Sequence, residues 1–183
     1  MGVGKELKRI RGKQSQQQLS LDFNVARESI SAYETERARI PRDVSQKAMQ
    51  KFDDPDFART VASEYTAGGW APALNGPAVI RDCSAVKSRA LKEIEEAYEA
   101  MRKACLDVNP AFIGNFERED IKKSLDEASE AVTWINEYMA TICRNYHFSW
   151  LRTWAGCQTR LIHRGFLRMV GKGEKKNGAH RRD

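Results

Sequence analysis

The sequence of 183 residues has no apolar run that approaches the ~18 residues of a membrane-spanning helix. Its first residues, MGVGKELKRIRGK, include no apolar segment of the kind that a secretion signal carries. These two absences predict a cytoplasmic protein with no membrane partner. The cysteines form no C-x-x-C pair, and we expect reduced thiols at all four positions: Cys83, Cys105, Cys143 and Cys157.

Catalytic signatures are also missing from the chain. There is no P-loop, no dinucleotide-binding glycine pattern and no paired-carboxylate motif. Cys143-x3-His147 and Cys157-x5-His163 contain metal-ligating residue types, but their spacings differ from those of a zinc finger. We interpret these cysteines as core residues and these histidines as surface residues. The sequence therefore predicts no enzymatic activity, no cofactor and no metal site.

Apolar and charged side chains are both plentiful, at 41% and 31% of the residues. This composition and length suit one ordinary folded domain or two small ones. The net charge of +6 is unevenly placed, since residues 1–52 carry +5, residues 53–159 carry −5 and residues 160–183 carry +6. A basic end is a candidate surface for a polyanion, although a solvated face or a solubilising tail gives the same pattern.

Proline and glycine divide the chain into predicted domains. All five prolines lie at or before Pro110, and three glycines and two prolines fall between Thr66 and Pro77, which excludes a regular helix there. Apolar spacings of three and four residues recur, whereas no strand-like alternation is present. We predict an all-α fold with a five-helix N-terminal domain (1–63), a linker (64–82), a C-terminal domain of about three longer helices (83–167) and a basic, disordered tail (168–183).

The N-terminal domain is predicted to contain two short helices joined by a tight turn. Ser15 can cap a helix that starts at Gln16, and Gln18 completes a capping box. Asn24 can adopt the left-handed conformation that the turn requires, and the second helix follows over about Ala26–Tyr33. The opposite face of that second helix is then exposed. The two helices would share a small core of Leu19, Phe23, Val25, Ile30 and Tyr33.

The C-terminal domain is predicted to have amphipathic helices over about 84–106, over 120–146 and from Ser149 to a glycine stop at Gly165. In the middle helix two interleaved tracks repeat every seven residues: Ile121, Ala128, Ile135 and Ile142, and Leu125, Val132 and Met139. We assign most of this seam to packing among the three helices and the remainder to a candidate dimer contact. The flanking helices would bury Val86, Ala90, Leu91, Ile94, Tyr98, Met101 and Cys105, and Leu151, Trp154, Ala155, Leu161 and Ile162.

Residues between Leu7 and Phe52 follow the spacing of a known motif, of which S-I-S-x-Y-E at 29–34 is the most specific part. The matching residues are Leu7, Ile10, Arg11, Ser15, Gln16, Leu19, Val25, Ser29, Ile30, Ser31, Tyr33, Glu34 and Pro41. In these residues the stretch resembles the helix-turn-helix domain of phage repressors and Cro proteins, the xenobiotic-response-element family. Three residues depart from the pattern, because Asn24 and Glu36 replace usual glycines and Ala26 replaces a usual serine or threonine.

The resemblance implies that the helix over Ala26–Tyr33 enters the major groove of DNA. Arg27 can donate to O6 and N7 of guanine, and Glu28 can accept from N4 of cytosine. Ala26 and Ala32 offer methyl groups to thymine. Simple solvation is the alternative for each arginine. Phosphate contacts are expected from Gln16, Gln17, Ser29, Ser31, Arg37, Arg39 and Arg42.

The resemblance also implies a repressor-like transcriptional regulator of a phage or mobile element. Such a protein binds double-stranded DNA, and we expect a homodimer because one domain reads only a short half-site. In a bacterial host it would lie in the cytoplasm with the nucleoid. The stretches FARTVASEYTAGGW (57–70) and YHFSWLRTW (146–154) are similar to prophage-encoded regulators of Gram-positive bacteria. The alternative is a docking module that binds a second protein, such as a replication initiator, through residues 84–165.

Overall fold

The computed structural model describes residues 2–107 and 109–168, so most of the predicted tail lies outside the described residues. Within the described ranges the chain is helical and contains no strand, which confirms the predicted all-α fold. The helices are α1 (Val3–Arg11), α2 (Gln16–Phe23), α3 (Arg27–Glu34), α4 (Arg42–Phe52), α5 (Pro55–Tyr65), α6 (Cys83–Lys103), a short 3-10 helix (Pro110–Phe112), α7 (Asn115–Tyr146) and α8 (Trp150–His163).

Local sequence signals account for the ends of the first helices. The Ser15 hydroxyl accepts a hydrogen bond from the Gln18 amide at 3.1 Å, and the Gln18 side chain accepts one from the Ser15 amide, which confirms the predicted capping box. Gly12 ends α1 at φ 56°, and Asn24 ends α2 at φ 54° and ψ 53°. The turn between α2 and α3 therefore has the left-handed residue that the sequence predicted.

Two helices are longer than predicted. The sequence predicts a short fifth helix that ends at Val61, whereas α5 has Pro55 in its first turn and continues to Tyr65. The α7 helix begins at Asn115, five residues before the predicted start. The added residues of α7 include no apolar periodicity, and its exposed Phe116 packs into no core. Apolar spacing therefore marked where α7 becomes buried, not where the helix begins.

Helices α1 to α5 pack around one apolar core. Gly4 brings the start of α1 close to the end of α3, because a Cβ at this position would lie 2.0 Å from the Tyr33 carbonyl oxygen. Burying an aliphatic or aromatic side chain contributes about 1.5–3 kcal/mol, so this core holds the α2–α3 pair as one rigid body. The buried core residues are Val3, Leu7, Leu19, Phe23, Ile30, Ile40, Val44, Ala48 and Phe57, with Val25 and Tyr33 packed at its edge.

Helices α6 and α7 form an antiparallel hairpin. The Arg89 guanidinium lies over the Trp134 ring at 5.4 Å, and the Asn145 side chain donates to Cys83 Sγ at 3.2 Å. Most of the side chains that the hairpin buries are small, which allows its two helices to approach closely. These buried residues include Ala90, Ala97 and Ala100 of α6 and Ser124, Ala131 and Ala140 of α7.

The larger apolar residues of the hairpin lie outside this contact, contrary to the prediction. The seam predicted to pack among three helices is half-buried at Ile121, Ala128, Ile135, Met139 and Ile142 but exposed at Leu125 and Val132. Small side chains fill most of the contact, and Val86 and Glu93 are the larger side chains that α6 buries. The predicted burial is also wrong for the exposed residues Leu91, Ile94, Tyr98, Met101 and Cys105.

A ring of four charged side chains joins α5 to α7. The buried Arg59 donates from Nη1 to Glu137 Oε2 at 2.8 Å and from Nη2 to Asp56 Oδ1 at 2.5 Å. Arg144 donates from Nη1 to Asp56 Oδ2 at 2.6 Å and from Nη2 to Glu137 Oε1 at 3.1 Å. Positive and negative groups alternate around the ring, so both oxygens of each carboxylate are paired. The ring therefore fixes the hairpin to the helices that carry the α2–α3 pair.

We expect Asp56→Asn to destabilise the protein at neutral pH and much less in acid. Burial raises the pKa of Asp56, but the guanidinium groups of Arg59 and Arg144 lower it by more, so its pKa lies below the ordinary value of ~3.9. A carboxyl with a depressed pKa stabilises the fold above its ordinary pKa, and this contribution disappears as the pH falls through the folded-state value. The expected loss at pH 7 is about 1–3 kcal/mol.

Urea unfolding of the wild type and Asp56→Asn at pH 7 and at successively lower pH tests this expectation. The exposed Asp43 supplies the control, since Asp43→Asn should change the free energy of unfolding by less than ~0.5 kcal/mol. A difference between wild type and Asp56→Asn that is the same at pH 7 and pH 2 would contradict the role of the Asp56 charge.

The chain divides into two compact units, the first through Trp150 and the second from Leu151. The first unit contains α1 to α7. In the second unit Trp154, Leu161 and Ile162 are half-buried, whereas Leu151 and Ala155 are exposed, contrary to prediction. Among the described helices, none combines the length and the apolar character that crossing a membrane requires. The predicted domain boundaries remain predictions.

Candidate nucleic-acid interface

The α2–α3 pair is held by contacts on both sides of its turn. The Val25 amide donates to the Ser20 carbonyl at 3.0 Å, and Lys47 of α4 donates from Nζ to the Phe23 carbonyl. Phe23 and Ile30 are buried in the common core. These contacts fix the angle between the helices, and the first turn of α3 then faces solvent.

The last turn of α3 is tied to the two helices before it through the buried Glu34. Arg11 of α1 donates from Nε to Glu34 Oε1 at 2.5 Å and from Nη2 to Oε2 at 3.1 Å. Gln16 donates from Nε2 to Glu34 Oε2 at 2.8 Å. The Gln16 side chain is therefore partly engaged within the protein. The phosphate contact predicted for Gln16 stays a prediction, and Gln16 lies in the first turn of α2, next to a helix N-terminus that attracts anions.

Three of the four residues predicted to read bases lie at the beginning of α3. The side chains of Arg27 and Glu28 are 55% and 79% exposed, and their closest charged atoms are 3.9 Å apart. An exposed ion pair of this kind contributes little to stability, so each side chain can leave it to form hydrogen bonds with a base edge. Ala26 is exposed as the residue before the helix and gives it no side-chain cap, whereas Ala32 is half-buried. The geometry thus brings Ala26, Arg27 and Glu28 together and leaves Ala32 less accessible.

Three of the predicted phosphate-binding residues are distributed along α2 and α3. Gln17 is exposed in the first turn of α2, and Ser29 and Ser31 are half-buried on α3. Arg37 lies just beyond α3 and donates from Nη2 to Ser31 Oγ at 3.5 Å. The structure therefore groups Ser31 with Arg37 at the end of α3, while Gln17 and Ser29 lie apart from them.

Arg39 and Arg42 are exposed on the segment that leads into α4. Within the described residues, neither guanidinium forms an ion pair. Arg42 is the first residue of α4, where its positive charge adds to the positive end of the helix dipole. This arrangement does not favour the isolated helix, but it suits a bound phosphate. Both residues thus keep the exposure that a backbone contact requires.

Sequence reasoning missed the part played by Thr35. Its hydroxyl donates to the Ser31 carbonyl at 2.7 Å and accepts from Arg37 Nε at 3.0 Å, so it positions the Arg37 guanidinium. The four-residue spacing from Ser31 is the signal that could have identified this contact. Glu36 follows at φ 59°, a left-handed conformation that favours glycine. This is the position at which the resembled family usually has glycine.

The cysteine and histidine residues do not form a metal-ligand set in the described part of the chain. Cys143 is buried in α7, and the exposed His147 ends that helix at φ 57°. Elsewhere in the described residues, three glutamates of the hairpin do lie close together: the carboxylate oxygens of Glu93, Glu96 and Glu127 are within 4.8 Å of one another. Ion pairs with lysine and arginine neighbours on α6 compensate two of them, since Glu93 lies 2.6 Å from a guanidinium nitrogen and Glu96 lies 3.2 Å from an ammonium group.

Comparison of the chain with protein-family models, with curated proteins and with solved structures gave no match. Any functional interpretation of the α2–α3 surface therefore depends on its own geometry and charge.

Proposed function

We propose that the protein is a sequence-specific DNA-binding regulator of transcription whose α3 helix enters the major groove. The observation that supports this most directly is the exposed first turn of α3, held rigidly because buried Glu34 ties the other end of the helix to α1 and α2. The major groove admits an α-helix, and the N-terminal residues of such a helix reach base edges. Arg27 would donate to guanine O6 and N7, and Glu28 would accept from cytosine N4.

Phosphate contacts would fix the register of α3 on the duplex. Arg39 and Arg42 are free to hold the backbone on one side, and Ser31 with Arg37 can do so near the end of α3. The first turn of α2, with exposed Gln17, adds the amides that precede the capped Gln18 amide. Contacts to phosphate position a protein on DNA but carry no sequence information, so affinity and specificity are assigned to different residues.

In this proposal the protein acts as a phage-type or mobile-element repressor without enzymatic activity. It works in the bacterial cytoplasm as a homodimer, because a single α3 helix reads a short half-site that recurs throughout a genome. Two copies that place their α3 helices about one turn of DNA apart would read an inverted repeat.

Fluorescence anisotropy with a labelled duplex at increasing salt tests whether the protein binds DNA. A protein that makes 6–10 phosphate contacts loses about 10³- to 10⁵-fold in affinity between 50 and 200 mM salt. We expect a loss of this kind for the wild type. Absence of a complex with duplex DNA even at the lowest salt would contradict the proposal and favour docking on a protein through residues 84–165.

Replacing Arg39 or Arg42 with alanine is expected to weaken binding to every duplex by a similar factor. Each change removes a backbone contact, so the slope of log affinity against log salt should decrease in magnitude by about 1. Anisotropy titrations of two unrelated duplexes measure both effects. Arg118→Ala removes an exposed arginine from α7 and should change neither. A change of base preference in Arg39→Ala would show that this residue reads bases instead.

A further inference from the structure

The α6–α7 hairpin carries an exposed apolar face that the proposed DNA contact does not use. We call this set of six residues the hairpin face, and each of its side chains is between 42% and 66% exposed. Polar residues predominate on most exposed helix surfaces, so a cluster of this kind needs an explanation. The hairpin face consists of Leu91, Ile94, Tyr98 and Met101 of α6 and Leu125 and Val132 of α7.

All six residues lie on the same side of the hairpin. Each one follows a buried residue by a single position, as Leu91 follows Ala90 and Val132 follows Ala131. One position is a rotation of about 100° around a helix. Because α6 and α7 are antiparallel, the same rotation on both helices turns the side chains toward the same side of the pair.

The register of the hairpin places the two rows next to each other. Arg89 of α6 packs on Trp134 of α7 at 5.4 Å. Leu91 follows Arg89 by two residues and Val132 precedes Trp134 by two, so Leu91 and Val132 lie at the same level of the antiparallel pair. Carboxylate oxygens of Glu96 and Glu127 lie within 4.8 Å of each other. Tyr98 follows Glu96 by two residues and Leu125 precedes Glu127 by two, so Tyr98 and Leu125 also lie at the same level. The hairpin face is therefore continuous across both helices.

The size of the hairpin face suits a specific protein contact. Each of the six residues is at least 42% exposed, and contiguous apolar patches of several such residues are rare on monomeric proteins and mark interaction sites. A standard interface buries ~800 Å² on each partner. The six residues would form the apolar centre of such an interface, and the polar residues around them would form its rim.

We propose that the hairpin face is the surface on which a second copy of this chain packs, so that two hairpins form a four-helix bundle. This inference deepens the proposed function, which requires two copies on DNA. The α6 residues recur at spacings of three, four and three, which is the spacing of helices that interlock side chains with another helix. The hairpin face has one row of residues on α6 and one on α7, so its best match is another face with two rows. In an isologous dimer the hairpin face packs against the same face of the second copy.

Charges beside the hairpin face favour one arrangement of the two copies. Glu95 and Arg102 each follow a residue of the face by one position, and they are seven residues apart on the same edge of α6. When two α6 helices pack antiparallel about Tyr98, Glu95 of each copy lies opposite Arg102 of the other. Arg102 also donates to Glu99 of its own helix at 2.9 Å, so each Arg102 in the dimer would bridge Glu99 of its own copy and Glu95 of the other, and these two reciprocal contacts would set the register.

Sedimentation equilibrium of the full chain tests the dimer. We expect the wild type to have twice the chain mass of 20.8 kDa and Leu125→Lys to raise the dimer Kd by about 30-fold or more. Phe116→Lys is the matched control, because Phe116 is also exposed on α7 but lies nine residues before Leu125, about half a turn away. Circular dichroism of the variants checks that they fold, which is expected because both positions are exposed.

A charge exchange tests the arrangement of the two copies. Arg102→Glu should weaken the dimer, and Glu95→Arg combined with Arg102→Glu should restore it. A monomeric wild type, or a Leu125→Lys variant that dimerises as tightly as the wild type, would overturn the inference. A monomer that still binds DNA specifically would contradict the dimer surface and the homodimer but not base reading by α3, whereas a dimer that binds no DNA would contradict the DNA-binding function but not the dimer surface.

Discussion

Replacing Glu137 with alanine should lower the free energy of unfolding by about 3–5 kcal/mol, the cost of removing one partner from a buried ion pair. Glu137 is fully buried and accepts hydrogen bonds from Arg59 at 2.8 Å and from Arg144 at 3.1 Å. Without it, Arg59 retains Asp56 alone, and two guanidinium groups face a single carboxylate. The loss should be larger than that of a surface carboxylate because water does not reach Arg59 to compensate its charge.

Urea unfolding at pH 7 measures this loss. Glu130→Ala removes an exposed carboxylate from the same helix and should change the stability by less than ~0.5 kcal/mol. Arg59→Met and Glu137→Met, singly and together, complete a double-mutant cycle. The double variant should lose less than the two single variants combined, because it leaves no unpaired charge between these two positions. A loss below ~1 kcal/mol in Glu137→Ala would show that the ring contributes little to holding α5 against α7.

Replacing Arg27 or Glu28 with alanine should weaken binding to the specific DNA site by about 1–3 kcal/mol each and relax the preference for one base pair. Both side chains project from the first turn of α3 and are more than half exposed, so their removal creates no cavity. The effect on protein stability should therefore be small. The effect on nonspecific DNA should also be small for Glu28, since it contacts no phosphate.

Anisotropy with the preferred duplex and with duplexes altered at single base pairs measures both the affinity and the preference. Arg118→Ala and Glu130→Ala remove exposed side chains of the same types from α7 and provide the controls. We expect Arg27→Ala to lose discrimination at a guanine and Glu28→Ala at a cytosine. An unchanged order of preference among the altered duplexes in both variants would contradict the assignment of these residues to the major groove.

The helices of the N-terminal domain could be predicted because their signals are local. Ser15 and Gln18 satisfy the free amides at the start of α2, and Asn24 accepts the left-handed conformation that ends it. Each of these preferences acts within a few residues. The apolar spacing of Leu19, Phe23 and Ile30 then identified the core correctly.

The inner face of the hairpin could not be predicted in the same way. Ala90 and Leu91 both belong to apolar rows with helical spacing, and both were predicted to be buried. The structure buries Ala90 and exposes Leu91, because small side chains allow α6 and α7 to pack closely. A choice between two neighbouring apolar rows depends on the partner helix, which the sequence of one helix does not specify.

Buried charges were the other feature beyond the reach of the sequence. Arg59 and Glu137 are 78 residues apart, and each has the composition signal of a surface residue. The same applies to Glu34, which accepts hydrogen bonds from Arg11 and Gln16. The Gln16 side chain, which was predicted to contact phosphate, is therefore partly engaged within the protein. Pairing of this kind depends on the tertiary fold, so local pattern predicts the position of a candidate site better than the partners of its side chains.

Selection of random duplex DNA by the purified full chain at near-physiological salt tests the central claim most directly. The wild type should recover an inverted repeat whose half-sites are about one helical turn apart, since the symmetry of the site follows that of the dimer. The Arg27→Ala, Glu28→Ala double variant, selected in parallel, should lose that motif. Recovery of no motif, with equal weak retention of DNA by both proteins, would contradict sequence-specific binding and reduce the interaction with DNA to nonspecific charge.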